Sequence, residues 1–315
     1  HKFATVVIVA ILTHAMAGEA FPQSAYNRSV LSDYPTYSWT FDESFGSAFN
    51  SGSATGNANT LILGSSAGRI AGPTSGGGGS LGNAFGGVSA SGTGGMLLSN
   101  GNLNAGTFSK YVVEAWINYD GTNAAYLFDN YTNQPALISN FVGTQLELFG
   151  GGNRTSGVGV GPTLPTNTWT HVVVGVDSAA ATHEIYFDGA LVGSYAGYGR
   201  DWGGNTTLSV NGTAFGGGLQ DSNTSFDELA IYNLSSVASG GTFSAAVADI
   251  ADHYNEAGSN TVQYPKTPLP YTYSYDAATT ANVLLAGNSA TSGGTEYTAP
   301  ERLNDGLLSP SGEAN

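Results

Sequence analysis

The sequence has no cysteine, so neither a disulfide nor a thiolate-bound metal can contribute to its stability or chemistry. Basic residues are scarce: eight Lys and Arg stand against 23 Asp and Glu, a formal net charge of -15 at pH 7. Such a surface repels nucleic acid phosphates and anionic bilayers, and the charged species it attracts are divalent cations. Charge of either sign is thin, at 10% of residues. Long apolar runs are also missing. The stretch from Phe3 to Leu12 falls short of the roughly 20 residues that a bilayer-crossing helix needs, so no membrane span is expected.

Glycine is abundant, at 46 of 315 residues, and aromatics make up 11%. With few charges, the polar surface must come mainly from Ser, Thr, Asn and Gly, a composition of short strands and many turns. The 41% hydrophobic content supplies enough apolar surface to offset chain entropy, so most of the chain is expected to fold. At the start, His1 and Lys2 precede the apolar stretch, and Ala15-Met-Ala-Gly18 sets small residues around a larger one. This is a secretory signal pattern, which makes 1–19 an expected signal peptide and the protein secreted or cell-surface. Opening on His and not Met, the chain reads as clipped. The alternative for Thr5 to Ile11 is a β-strand able to pair with a neighbouring sheet edge.

Between Tyr34 and Gly258, short β-prone runs alternate with Gly, Asn, Ser and Thr clusters. The stretches Tyr111 to Tyr119 and Trp169 to Asp177 are apolar almost throughout, as in strands covered on both faces. Trp39, Trp116 and Trp169 are expected in the core, with Trp116 and Trp169 packing beside the Phe226 strand in one interior. In His183 to Gly193, alternation through Ile185 and Phe187 leads into Asp188-Gly189, a pair suited to a two-residue hairpin turn. A strand over Thr224 to Asn233 precedes a helical stretch from Phe243 to Ala257, with Ala246, Ile250, Tyr254 and Ala257 on one face and Gly258 as its cap. The expected fold is all-β: a two-sheet antiparallel sandwich closed by one short C-terminal helix.

The order of these motifs resembles a known family. Tyr37-Ser-Trp-Thr-Phe-Asp-Glu43, then Glu114-Ala-Trp116, Trp169-Thr-His-Val172, Phe187-Asp-Gly189, Ser225-Phe-Asp-Glu-Leu-Ala-Ile-Tyr-Asn233 and a helix ending His253-Tyr254 are similar to the concanavalin A-like (LamG-like) jelly roll. The resemblance covers 34–258. It departs from the pattern in a Gly/Ser-rich insertion over Gly72 to Gly95 and a long connection from Leu234 to Thr242, both expected as surface loops. Beyond it, 259–280 reads as a Pro- and Tyr-rich linker. The segment 281–315, opening Ala281-Asn-Val-Leu-Leu-Ala-Gly287 and reaching Pro300-Glu-Arg-Leu-Asn-Asp-Gly306, resembles the first strands of a discoidin-like (coagulation factor type C) module, which implies that the natural protein continues past Asn315.

The jelly-roll resemblance implies a structural calcium position where the acid after the first strand meets the acid of the Phe-Asp-Glu motif, here Asp42, Glu43 and Asp227. The alternative is that these acids cap turns or accept backbone hydrogen bonds. Glycosidases on this scaffold pair carboxylates at even spacing along one strand, and no Glu-x-Asp-x-x-Glu pattern is present. Glu147 is flanked at that spacing by Gln145 and Phe149, while Glu184 and Asp188 read as a solvated face beside the turn. His171 and His183 lie in strand patterns without a Gly-x-Ser-x-Gly elbow, and the glycine run 76–79 lacks the Lys and helix of a phosphate loop. No catalytic residues are expected, and the chain is expected not to be an enzyme.

Loop aromatics beside polar residues are the better lead, because sugar rings stack on Trp and Tyr while Asn and Asp hold hydroxyls. Tyr195, Tyr198, Arg200, Asp201 and Trp202 form one such cluster, and Tyr126, Asp129, Asn130 and Tyr131 a second. The alternative is that these rings cover the sandwich. The expected function is carbohydrate or glycoprotein binding by a module of a larger secreted or surface protein. A structural spacer, or an accessory module of a polysaccharide-degrading enzyme, are the alternatives.

Overall fold

The computed structural model describes residues 24–256, except 45, 74–79, 91–93, 123–124, 131–135, 140–144, 151–152, 155–160, 198, 204–205, 214–221 and 238–239, together with 290–292 and 295–297. The expected signal segment 1–19, the expected linker 259–280, the Gly76–Gly79 run, Gly258 and most of 281–315 lie outside the described residues. Within the last segment, an antiparallel hairpin pairs Ala290–Ser292 with Thr295–Tyr297.

In chain order the strands are β1 Tyr37–Trp39, β2 Leu61–Leu63, β3 Gly68–Ala71, β4 Asn83–Gly86, β5 Leu97–Ser99, β6 Lys110–Asn118, β7 Tyr126–Asn130, β8 Ala136–Ser139, β9 Leu146–Gly150, β10 Asn153–Arg154, β11 Trp169–Asp177, β12 Thr182–Phe187, β13 Ala190–Ala196, β14 Leu208–Val210 and β15 Ser225–Asn233. The helices are α1 Ala25–Ser32, α2 Gly241–Ala251 and α3 His253–Glu256. The first sheet runs β13-β12-β11-β6-β15-β4-β3, with β1 also on β15, and the second runs β10-β9-β8-β7-β14-β5-β2. All pairings are antiparallel, and the two sheets form a jelly-roll sandwich.

The expected hairpin is present: Phe187 pairs with Ala190, and the two residues between them, Asp188 and Gly189, have φ of 49° and 77°. Both angles are left-handed, which is what a turn of this length demands and what Asp-Gly tolerates. The helical stretch begins at Gly241 and breaks at Asp252, so α3 is a separate turn. α1 precedes the expected start of the domain; Ser24 caps it by accepting from the Asn27 backbone N–H at 3.0 Å.

Burial divides into two layers. Between the sheets, Tyr37, Trp39, Phe85, Val113, Val174, Phe226 and Ile231 meet Leu127, Leu137, Leu148, Leu208 and Val210. On the outer face of the first sheet, Val112, Trp116, Val173 and Tyr232 are covered by Tyr26 and Val30 of α1 and by Ala246, Val247 and Ile250 of α2. Strands β6, β11 and β15 therefore carry apolar residues on both faces, which explains their unbroken apolar runs. This corrects one expectation. Trp116 and the partly buried Trp169 belong to the outer layer beneath the helices, whereas Phe226 belongs to the interior. Side chains alternate along a strand, so Val113, Ala115 and Ile117 point between the sheets and Trp116 cannot.

Candidate functional site

Three places gather chemistry-bearing side chains. The first lies where β1 meets β15. Tyr37 is opposite Ile231, and this pairing brings Asp42, just beyond β1, toward Asp227 at the start of β15. A bulge between Asp227 and Ala230, with Glu228 at φ 52°, turns β15 there. The Asn83 N–H donates to Asp42 Oδ1 at 3.0 Å, and the Glu228 N–H donates to Asp227 Oδ1 at 3.0 Å. Asp227 Oδ2 is buried without a hydrogen-bond partner among the described residues. Two glycines pack against the acids: a Cβ on Gly72 would stand 2.6 Å from Asp227 Oδ2, and one on Gly82, at φ 96°, would stand 1.7 Å from Asp42 Oδ1. Burial, and then the charge of Asp42, push the Asp227 pKa well up; burial also raises that of Asp42.

Glu43 is not aimed at these two. It accepts from the Phe49 N–H at 2.8 Å and from Arg69 at 3.2 Å. The expected three-acid cluster is thus a pair, and among the described residues no three His, Cys, Asp or Glu are placed to hold a metal ion. The carboxylate oxygens present suit a hard cation in type, with the remaining donors left to backbone carbonyls and water.

The second place is sealed. Glu114, on the outer face of β6, accepts from the hydroxyls of Tyr26 at 2.8 Å and Tyr232 at 2.6 Å, and lies 2.8 Å from His171 Nε2 and 3.0 Å from His253 Nδ1. His253 Nε2 reaches Asp33 Oδ2 at 3.1 Å. Burial alone would raise the Glu114 pKa, but the His253 charge and the hydrogen bonds from His171 and His253 hold it well below the usual carboxylate range. Burial acts to lower the His253 pKa, and the Glu114 and Asp33 carboxylates override it, raising it well above the ordinary value. Every member is buried, so a substrate has no access, and the cluster clasps α1 and α3 to the sheet. Sequence reasoning took His171 as a structural histidine and missed the cluster, whose members come from distant parts of the chain.

The third place is an open hollow of about 520 Å³ lined by Thr107, Ser109, Ser178, Ala179, Gly199, Arg200 and Asp201. Asp177 at the end of β11 pairs with Lys110 at the start of β6, which puts the flanking residues Ser178 and Ser109 side by side; the Ser178 N–H donates to Ser109 O at 2.8 Å. The loop after β13 is tied down by Phe108 and Trp202, whose backbones exchange hydrogen bonds of 3.1 and 2.9 Å. Ser178 Oγ donates to Asp201 Oδ1.

The expected aromatic cluster is thereby divided. Arg200 and Asp201 line the hollow. Trp202 does not: it is fully buried between the sheets, 5.6 Å from the Tyr111 ring, because its indole fills the interior under the loop. Tyr195 is half-buried and stacks on His183 at 5.1 Å, and burial pushes the His183 pKa down to about 4. Tyr198 and Tyr131 lie outside the described residues. In the second expected cluster Tyr126 is half-buried, but Asp129 and Asn130 are buried and brace the loops around β14. Thr213 donates to Asp129, and Asn130 Nδ2 donates to Gly203 O at 3.2 Å. Neither of these two is free to meet a ligand as expected.

Glu184 departs from the expected solvated face, since it accepts from Ser244 Oγ at 2.5 Å and Tyr186 at 3.1 Å and so fastens α2. Asp188 accepts from the His171 N–H at 2.9 Å. Asp129 pairs with Ala136, and Ala136 with Phe149, two residues beyond Glu147, so Asp129 and Glu147 share the outer face of the second sheet. A search along single strands cannot find that arrangement.

Residues 90–238 match the family model of the concanavalin A-like lectin/glucanases superfamily, just under half of the chain. None of the curated proteins matches the sequence. Among solved structures, the chain is similar to domain 4 of an extracellular arabinanase from Geobacillus stearothermophilus, solved with arabinotriose, at 18% identity and a TM-score of 0.48, covering 69% of this chain and 98% of that one. It is also similar to the binding domain of Paraclostridial Mosquitocidal Protein 1, at 14% identity and a TM-score of 0.41, covering 64% of this chain and 49% of that one. A sialidase from Trypanosoma rangeli, solved as a covalent intermediate, is similar at 13% identity and a TM-score of 0.41, with 64% of this chain covered and 31% of the sialidase. The chain thus spans about half of the mosquitocidal binding domain and about a third of the sialidase.

Proposed function

We propose that this sandwich is a non-catalytic carbohydrate- or glycoprotein-binding module of a secreted or surface protein, and that it binds through the hollow lined by Arg200 and Asp201. The observation that carries this reading is the composition of that hollow. Three hydroxyl side chains, a guanidinium and a carboxylate converge on an opening held by backbone hydrogen bonds. Sugar hydroxyls need such alternating donors and acceptors, and a rigid frame reduces the entropy lost on binding. The match of 90–238 to a lectin/glucanase superfamily supports the same reading. The export pattern at 1–19 supports the extracellular placement, and among the described residues no helix is long and apolar enough to cross a membrane.

Asp42 and Asp227 are the residues that would hold a structural calcium ion. A bound cation would neutralise buried Asp227 and half-buried Asp42, whose charge now opposes the ionisation of Asp227, tying β1 to β15 without activating water. Glu43, engaged with Arg69, would take no part.

The test is a glycan array probed with the full chain. Retention of a defined set of glycans, weakened at least tenfold by Asp201→Ala, is the expected result. A blank array would reject the reading and leave a spacer role.

A further inference from the structure

The hollow holds a positive charge that forms no ion pair among the described residues. Of the eight basic residues, Arg69 is paired with Glu43 at 3.2 Å, and the Lys110 ammonium is buried and donates to Val237 O. Arg200 makes no ion pair or hydrogen bond with any described residue, although it is half-buried at the wall of the hollow and the chain carries a net charge of -15. Its neighbour Asp201 does not neutralise it: the Asp201 carboxylate turns toward Ser178 Oγ. In so acidic a protein an uncommitted guanidinium is conspicuous, since acceptors are plentiful and an arginine left to itself finds one.

The frame keeps Arg200 where it is. Trp202, two residues on, is locked between the sheets, and its backbone is bridged to Phe108. On the other side, Gly199 passes so close to the β11–β12 turn that a Cβ there would stand 2.8 Å from Ser178 O. Thr107 and Ser109 complete the wall with hydroxyls that make no side-chain hydrogen bond to a described residue. A planar five-donor fork beside small hydroxyls is a receptor for a planar or tetrahedral oxyanion carried on a polyhydroxyl body.

We infer that the hollow selects an anionic sugar, with its carboxylate or sulfate group on the Arg200 guanidinium and its ring hydroxyls on Thr107, Ser109 and Asp201. This rests on the carbohydrate-binding reading of the same hollow and names the class of glycan. The acidic surface does not forbid it. At physiological salt the Debye length is about 8 Å, so a short oligosaccharide feels mainly the charge it touches and little of the distant carboxylates.

The experiment is titration calorimetry of the full chain with three probes: a galacturonate trisaccharide, a sulfated galactose disaccharide and uncharged galactotriose. One or both anionic probes are expected to bind at least tenfold more tightly than galactotriose. Arg200→Gln should abolish that preference, and Arg200→Lys, which keeps the charge but loses the fork, should restore only part of it. Which anion is preferred identifies the source of the oxyanion. Equal binding of all three probes, or a preference that survives Arg200→Gln, overturns the inference. If none of the three binds while the array retains neutral glycans, the inference fails and the carbohydrate reading stands; if the array is blank as well, both fail.

Discussion

His253 Nδ1 on α3 lies 3.0 Å from Glu114 Oε1 on β6, across 139 residues of chain and away from solvent. This contact fastens the last helix of the sandwich to its central strand. Because His253 also reaches Asp33, the same imidazole closes the first helix onto the last. Removing one partner of a buried charge pair strands the other, so His253→Gln or Glu114→Gln is expected to cost about 3–5 kcal/mol in urea unfolding. A loss below 1 kcal/mol would show that the clasp is dispensable.

The same pair sets a pH window. The His253 pKa is raised in the fold, so its contribution is complete below the unfolded value of about 6.5 and is lost as pH rises through the raised value. The Glu114 pKa is lowered, so its contribution is complete above the unfolded value of about 4.3 and is lost as pH falls toward the lowered one. Melting temperature should therefore be highest between about pH 5 and 7 and decline on both sides, with the alkaline decline flattened in His253→Gln. An unchanged alkaline limb in that variant would assign the decline to other groups.

Asp227 behaves in the opposite sense. Its pKa is raised by burial and by Asp42, so ionising it opposes folding as pH climbs above the ordinary carboxylate range. Without metal, Asp227→Asn should leave the melting temperature at pH 7 unchanged or higher. Millimolar calcium should raise the melting temperature of the wild type at pH 7, much less at pH 4, and not at all in Asp227→Asn. Equal responses with calcium and with chelator would remove the cation from this site.

Trp202 separates a packing role from a binding role. Its indole is fully buried, and Trp202→Ala is expected to cost about 3–5 kcal/mol in denaturant, whereas a surface ligand contact would leave stability near that of the wild type. Trp202→Phe should recover much of the stability and, by restoring the loop, the glycan binding as well.

At Gly175 α2 lies close against the sheet, since a Cβ there would stand 2.5 Å from Val247 Cγ2. Gly175→Ala is expected to destabilise by about 1–3 kcal/mol through overpacking. Val247→Ala in the same chain should reduce that loss, and a double-mutant cycle reads the coupling directly. Strict additivity would mean that the helix shifts freely on the sheet.

The strands β6, β11, β12 and β15 and the turn at Asp188-Gly189 were legible in the sequence, because strand patterning and turn chemistry are local. Alternation, β-branched runs and left-handed dipeptides act within a few residues of one another. The approach of Asp42 to Asp227 was implied by the jelly-roll resemblance, and the antiparallel pairing of β1 with β15 came from the structure. Burial of individual aromatics did not. Trp202, Tyr195 and Arg200 stand within eight positions of one another in a glycine-rich loop, yet one fills the interior, one stacks on a histidine and one lines an opening.

Local composition determined that this chain forms an antiparallel β-protein with a net charge of -15 and without cysteine chemistry. Only the tertiary structure decided which polar groups are sealed and which meet solvent. It turned the Glu114 face of β6 beneath two helices and left Arg200 at the rim without an ion pair among the described residues. The reason is that side-chain period specifies which residues share a face, whereas what covers that face is supplied by segments 88 and 139 residues away.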